Sequence, residues 1–216
     1  MFKYYNNESY FLDVLKNKRL YFASFRQFND PYEIFGFLKN TDDGKSYVDK
    51  KFKDKIKCCC FSLTNRNYLL WSHYGKSHRG FCIEFDFEEC IQNSIKNNVH
   101  IVNYNGKKLY GFKVDYNSYE LEVSFSKSNK ILNLNQSIEL VRHKFADWEY
   151  EKEYRFITEQ SEPGFIEIPS ESIKSITYGY NISDQRMKYL DKRIKRMGIN
   201  LETRKLKLAC NIGQLL

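Results

Sequence analysis

The sequence predicts a single α+β domain over residues 1–216, with a mixed, split β-sheet and flanking helices. Three observations carry that expectation. Short apolar runs alternate with stretches of helical period along the chain, the C-terminal part reads strand–helix–strand, and no repeat, low-complexity tract or composition break suggests a boundary. A 26.0 kDa chain of 216 residues is long enough to bury one core without disulfide staples. Hydrophobic residues make up 42% and charged residues 29%, while three prolines and ten glycines exclude a collagen-like or disordered chain.

Taken in order, Phe2–Tyr5 is short, aromatic and strand-like, and 8–17 carries Phe11, Leu12 and Leu15 at helical spacing. Leu20-Tyr21-Phe22 resumes a strand, so the opening reads strand, helix, strand. Phe28-Asn29-Asp30-Pro31 is turn chemistry, because Asn and Asp bond their own backbone and proline stops a helix. The Lys/Asp-rich stretch 39–57 reads as a solvated excursion. The nearly continuous apolar run 56–63 suits a buried central strand ending near Ser62, followed by a short helix over 68–74 and a second strong strand over 80–86. Asn105-Gly106 between two strand-like runs, 99–104 and 108–114, signals a type I′ hairpin. A helix over 136–145 leads into the segment 148–157, which reads as a strand or as the start of a helix. The last unit comprises strand 173–178, helix 183–197 and strand 200–208. Its helix has Met187, Leu190, Ile194 and Met197 on one face, Ser183 as N-cap and Gly198 as stop.

Two compositional features bear on partners. Tyr, Phe and Trp make up 17% of the chain, enough to fill an aromatic core or to stack on a flat ligand. The net charge is +8, and residues 171–216 hold ten Lys/Arg against four Asp/Glu; this fits either a soluble basic face or an anionic partner such as nucleic acid or a nucleotide phosphate. Cys58, Cys59 and Cys60 are consecutive and cannot all aim at separate bridging partners. The paired spacing of a four-thiolate zinc site is also missing, so the six cysteines are expected to be reduced, metal-free and cytoplasmic. Met1–Tyr5 begins no apolar leader and no window is long and apolar enough to span a bilayer, so neither secretion nor membrane insertion is expected.

The densest chemical constellation is Trp148-Glu149-Tyr150-Glu151-Lys152-Glu153-Tyr154-Arg155. In a strand Glu149, Glu151 and Glu153 would share a face, where stacked carboxylates raise one another's pKa and serve acid/base chemistry; the alternative is a solvated strand edge or helix start whose acids pair with Lys152, Arg155 or the basic C-terminus. A second constellation is Trp71-Ser72-His73-Tyr74-Gly75 with His78-Arg79-Gly80. Its two histidines are five apart, which denies them one helical face for zinc and leaves ligand binding or a structural junction as readings. Neither standard glycine-rich phosphate loop is present. The cysteines lie in apolar runs where a thiol acts as a small hydrophobe.

Together, Phe2–Tyr5, Leu20–Ser24, Phe28–Pro31, Cys60–Ser62, the Trp71–Tyr74 and His78–Phe85 segments, and Trp148–Arg155 resemble a bacterial family called domain of unknown function 2971. The strand–helix–strand opening, the middle strand ending in Phe61-Ser62 and the late Glu151-Lys152-Glu153 are also similar to the three-part layout of ADP-ribosyltransferases. That second resemblance implies an ADP-ribosyltransferase-like split sheet that uses NAD as co-substrate. It puts Tyr4 or Tyr5 at the first, NAD-holding position, Ser62 at the nicotinamide pocket, Glu153 on the nicotinamide ribose and Glu151 at the acceptor-activating position. The first position departs from the usual Arg or His, which shifts phosphate anchoring to Lys3, Arg155 or a distant basic residue. His73 and Tyr74 complete the expected cofactor contacts.

On this reading the chain is an NAD-dependent ADP-ribosyltransferase modifying an unknown macromolecule, nucleic acid or protein, and the family context implies a toxin or phage-defence role. The alternative is a non-catalytic nucleic-acid-binding or interaction module with a basic C-terminal face. A metal-dependent nuclease using Glu149, Glu151 and Asp86 is a third reading.

Overall fold

The computed structural model describes residues 1–30, 56–87, 91–95, 99–117, 134–159 and 164–207. In chain order these form β1 (Phe2–Tyr5), α1 (Glu8–Asn17), β2 (Arg19–Tyr21), β3 (Ala23–Ser24), β4 (Lys57–Ser62), α2 (Tyr68–His73), β5 (Phe81–Phe85), β6 (Ile91–Ile95), β7 (Val99–Tyr104), β8 (Lys107–Lys113) and β9 (Asp115–Asn117). They continue with α3 (Leu134–Arg142), β10 (His143–Phe145), a 3₁₀ segment (Ala146–Glu151), β11 (Glu153–Thr158), β12 (Phe165–Glu167), β13 (Ile173–Tyr178), α4 (Asp184–Arg196) and β14 (Glu202–Lys205). The class is α+β, with helices beside open, mixed β-sheet. The solvated excursion expected over 39–57 lies outside the described residues except at its end.

The chain divides into two compact units, each drawn from separated segments. One comprises the described residues of 1–19, 64–86 and 168–207, and the other those of 20–63 and 87–167.

In the first unit, β5 lies between β1 and β13 with antiparallel register on both sides, and β13 pairs in parallel with β14. A parallel pair needs a crossover, and α4 supplies it. The Ser183 Oγ accepts from the Arg186 N–H at 3.2 Å to start that helix, and Gly198 at φ 74° follows its end. Leu190 and Ile194 are the buried residues of α4. The α1 helix starts in the same way, with Asn7 Oδ1 accepting from Ser9 N–H at 2.8 Å, and it buries Phe11, Leu12, Val14 and Leu15. Phe11 stacks on Phe81 with ring centres 4.3 Å apart, and Phe81 meets Tyr178 edge-on. Much of the aromatic richness is therefore core packing.

In the second unit, β11 is a central strand, antiparallel to β4 on one side and β8 on the other, and all six of its residues are buried. The ladder continues through β7 to β6. The β7–β8 turn has Asn105 and Gly106 both at positive φ, 48° and 72°, as a type I′ turn requires. Phe25, Ile56, Cys58, Phe112, Leu140 and Ile157 belong to one apolar cluster beneath this sheet. The helix expected at 136–145 ends earlier: α3 stops at Arg142, and residues 143–145 form β10, parallel to β9.

Candidate functional site

Of the two readings of 148–157, the strand applies only from Glu153. Residues 146–151 instead wind as 3₁₀ helix, and Lys152 closes it in the left-handed region at φ 45°, its N–H donating to the Glu149 carbonyl at 3.1 Å. Strand alternation therefore does not govern Glu149, Glu151 and Glu153, and the shared face expected for all three is replaced by another arrangement. Glu149 is exposed, whereas Glu151 and Glu153 retain only 4% and 6% of their exposure.

The two buried carboxylates meet through a residue with no prior claim on the site. The Lys144 ammonium donates to Glu151 Oε2 at 2.7 Å and to Glu153 Oε2 at 3.2 Å. Arg155, two residues along β11 from Glu153 and on the same side of the strand, donates from Nε to Glu153 Oε1 at 3.0 Å and from Nη2 to Oε2 at 2.8 Å. Its Nη1 reaches the Val141 carbonyl at 2.5 Å. Two acids and two bases thus form a formally neutral cluster from which water is nearly excluded. Such a cluster is tolerable only because each charge has a hydrogen-bonded counterion, since a bare ion in this setting would cost several kcal/mol.

The backbone around the cluster is also tied down. Ser62 stands directly opposite Glu153 in the β4–β11 register, and its hydroxyl donates to the Glu151 carbonyl at 2.7 Å. The Glu153 N–H donates to the Tyr116 hydroxyl oxygen at 2.8 Å, and the Glu153 carbonyl accepts from Val114 N–H at 3.0 Å. Lys144 also sits 4.9 Å from the centre of the Trp148 ring.

Burial pushes the Glu153 carboxyl upward, with Lys144 and the Cys60 thiol pulling against it. Burial draws on Lys144 in the opposite sense, but Glu153 and Glu151 outweigh it and hold the ammonium well above the ordinary lysine range. Burial brings Arg155 down to about 9, which leaves it protonated at neutral pH. The two cations bonded to Glu153, Lys144 and Arg155, favour its charged form against its burial.

Of the residues marked in the sequence, Ser62, Glu151, Glu153 and Arg155 come together in the second unit. Arg155, one of the residues considered for phosphate anchoring, is fully buried and bonded to Glu153 and to the Val141 carbonyl. Tyr4, Tyr5, His73 and Tyr74 belong to the first unit. Tyr4 donates its hydroxyl to the Thr64 carbonyl at 3.0 Å and meets Trp71 edge-on, and Tyr5 is buried beside Phe11. His73 is exposed at the end of α2, and Tyr74 caps that helix. His78 Nε2 lies 3.1 Å from Ser72 Oγ, in a turn whose Lys76, Ser77 and His78 all have positive φ. Cys58, Cys59, Cys60 and Cys82 are unbridged. Among the described residues no three His, Cys, Asp or Glu side chains cluster as a metal would require, and no helix is long and apolar enough to cross a membrane.

Sequence reasoning missed Lys144 and Tyr116. Lys144 follows Arg142 and His143 in a run of three basic residues, which reads as an exposed charged stretch and gives no signal of burial. Nothing in the sequence marked Tyr116.

A family model described as "Protein of unknown function (DUF2971)" matches residues 70–156, so the resemblance to that family holds over a span running from α2 into β11 and containing Lys144, Glu151 and Glu153. No curated protein and no solved structure gave a match.

Proposed function

We propose that this chain, whose residues 70–156 match a family without an assigned activity, is an ADP-ribosyltransferase-like enzyme that uses NAD as co-substrate to modify a macromolecule. The observation that carries the reading is the β4–β11 register. Ser62 faces Glu153, and the Ser62 hydroxyl holds the Glu151 backbone, so the residues matched to the middle and late positions of that superfamily share one strand end. Cleavage of the nicotinamide glycosidic bond builds positive charge on the ribose. A preorganised carboxylate such as Glu153 stabilises that transition state more than the ground state. Glu151 would take the proton from the acceptor.

Lys144 is the partner that Glu153 can exchange for a ribose. Its contact with Glu153, at 3.2 Å, is longer than either Arg155 contact to that carboxylate, and it keeps a shorter one to Glu151. Arg155 stays bidentate and fixes the carboxylate orientation. A toxin or phage-defence setting is what the family resemblance implies.

The test is nicotinamide release from NAD by the purified protein, followed by chromatography, with Glu153→Gln compared at a temperature where both proteins are folded. Release should fall by roughly 10²-fold or more, the scale on which one preorganised electrostatic group acts. Wild-type release by folded Glu153→Gln, or failure of the wild-type protein to bind NAD in calorimetry, would sink the reading.

A further inference from the structure

The α4 helix has an apolar side that is used and a charged side that is not. Leu190 and Ile194 are buried, while Lys188, Lys192 and Lys195 recur at i, i+4 and i+7 on another face, with Arg196 beside them. Those three lysines span about 10 Å of helix at 1.5 Å per residue. Residues 184–207 hold nine Lys/Arg against three Asp/Glu, and the acids are already engaged in part. Asp184 pairs with Lys205 at 2.8 Å and Asp191 accepts from the Tyr178 hydroxyl. Glu8 of α1 answers Arg186 and Arg193, the cations on the flank of the helix. Among the described residues no carboxylate lies within salt-bridge distance of Lys188, Lys192, Lys195 or Arg196.

Like charges at i, i+3 and i+4 work against a helix by a few tenths of a kcal/mol per pair, as Lys188/Lys192, Lys192/Lys195 and Lys192/Arg196 do here, and Asp184 offsets this only at Lys188. A second observation bears on what would offset it. Tyr189 lies next to the stripe, is 52% exposed, and has the Arg186 guanidinium 5.1 Å from its ring centre. A cationic track with an exposed aromatic ring beside it is the combination that holds phosphates and stacks a base. A membrane surface fits less well, because the apolar side of this helix is buried and leaves nothing but Tyr189 to insert.

We propose that the exposed face of α4 binds single-stranded nucleic acid, with Lys188, Lys192, Lys195 and Arg196 on successive phosphates and one base stacked on Tyr189. The inference is independent of the Glu153 site and needs no NAD. Fluorescence anisotropy with a labelled 20-nucleotide oligo-dT tests it.

On single strands each phosphate contact contributes about −0.7 to the slope of log affinity against log salt, so four contacts predict a slope of about −3. Neutralising three of them in Lys188→Gln/Lys192→Gln/Lys195→Gln should bring the slope toward about −0.7 and weaken binding. The melting temperature should change little, because repulsion among the lysines and the attraction of Asp184 to Lys188 are lost together. Tyr189→Ala should lose roughly 5- to 150-fold in affinity with the salt slope unchanged. An unchanged slope and affinity in the triple variant would overturn the proposal, as would full binding by Tyr189→Ala. Binding to phosphatidylserine vesicles without binding to the oligonucleotide would reassign the face to membranes and equally end it.

Discussion

Replacing Glu153 by Gln should cost stability before it costs anything else. The substitution keeps the side-chain shape but removes the charge that Arg155 engages through two bonds of 3.0 and 2.8 Å and that Lys144 engages at 3.2 Å. Arg155 is fully buried and cannot recover the loss from solvent. Breaking a buried pair from one side typically costs about 3–5 kcal/mol. Gln retains one carbonyl oxygen for the guanidinium, and Lys144 keeps Glu151, so the lower end, about 3 kcal/mol, is expected. At about 2–4 °C per kcal/mol for a chain of this size, the melting temperature should drop by roughly 6–12 °C. Thermal unfolding by circular dichroism reads this directly, and urea unfolding should show a lower midpoint at unchanged slope. A cycle with Lys144→Met adds a check. The two single losses should couple by about 0.5–3 kcal/mol, because both side chains belong to one network. A Glu153→Gln protein melting within about 2 °C of wild type would refute the network reasoning. It would mean that Glu153 is held neutral, or that the cluster opens to water in solution.

Other outcomes follow from the same structure. Glu151→Gln should spare slow NAD hydrolysis while suppressing transfer to an acceptor, since Glu151 is assigned proton removal; equal losses in Glu151→Gln and Glu153→Gln would favour a purely structural cluster. Burial raises Cys82, Tyr4 and Tyr178 above their ordinary values near 9 and 10, and pushes Tyr154 up to about 12. Folded values above unfolded ones give stability that is full below the unfolded pKa and lost as pH rises through the folded one, so urea midpoints should hold up to about pH 9 and then fall. Tyrosinate absorbance should rise together with unfolding, and titration of these tyrosines in the still-folded protein near pH 10 would contradict the burial argument. A Cβ at Gly80 would lie 2.4 Å from the Tyr5 carbonyl oxygen, where β1 meets β5, so Gly80→Ala should cost at least the upper end of about 1–3 kcal/mol. Gly106→Ala meets nothing within 4 Å and bears only left-handed strain of about 1–2 kcal/mol, so its thermal shift should be clearly the smaller.

The contrast between what the sequence revealed and what it hid lies in the range of the interactions involved. The α1 and α4 helices were legible because their caps, Asn7 and Ser183, and their buried faces are set by residues a few positions apart. The Asn105-Gly106 hairpin was legible because φ > 0 at two successive residues demands those side chains. The 3₁₀ segment before Glu153 was legible only as one of two readings, strand or helix start, because period-2 spacing of glutamates fits both, and the choice was made by Lys152 and its bond to Glu149.

That local choice changes the meaning of the acidic motif. Three carboxylates on one strand face would repel and raise one another's pKa. Here Glu149 turns to solvent, and the remaining two are joined by Lys144, brought in by β10, and braced by Arg155. A cluster in which every charge is matched is chemically quiet until one partner leaves. Lys144 is shared between both acids and holds Glu153 at a longer distance than Arg155 does, so on the proposed function its release is the step on which chemistry at Glu153 would depend. Lys144→Arg tests that dependence with the charge kept. A bulkier, planar cation that grips both carboxylates should suppress nicotinamide release while costing about 1–3 kcal/mol for the added bulk at a buried position, so release is compared at a temperature where both proteins are folded. Undiminished release by a stable Lys144→Arg protein would show that Glu153 never needs to exchange Lys144, and would remove the proposed route by which the ribose reaches it.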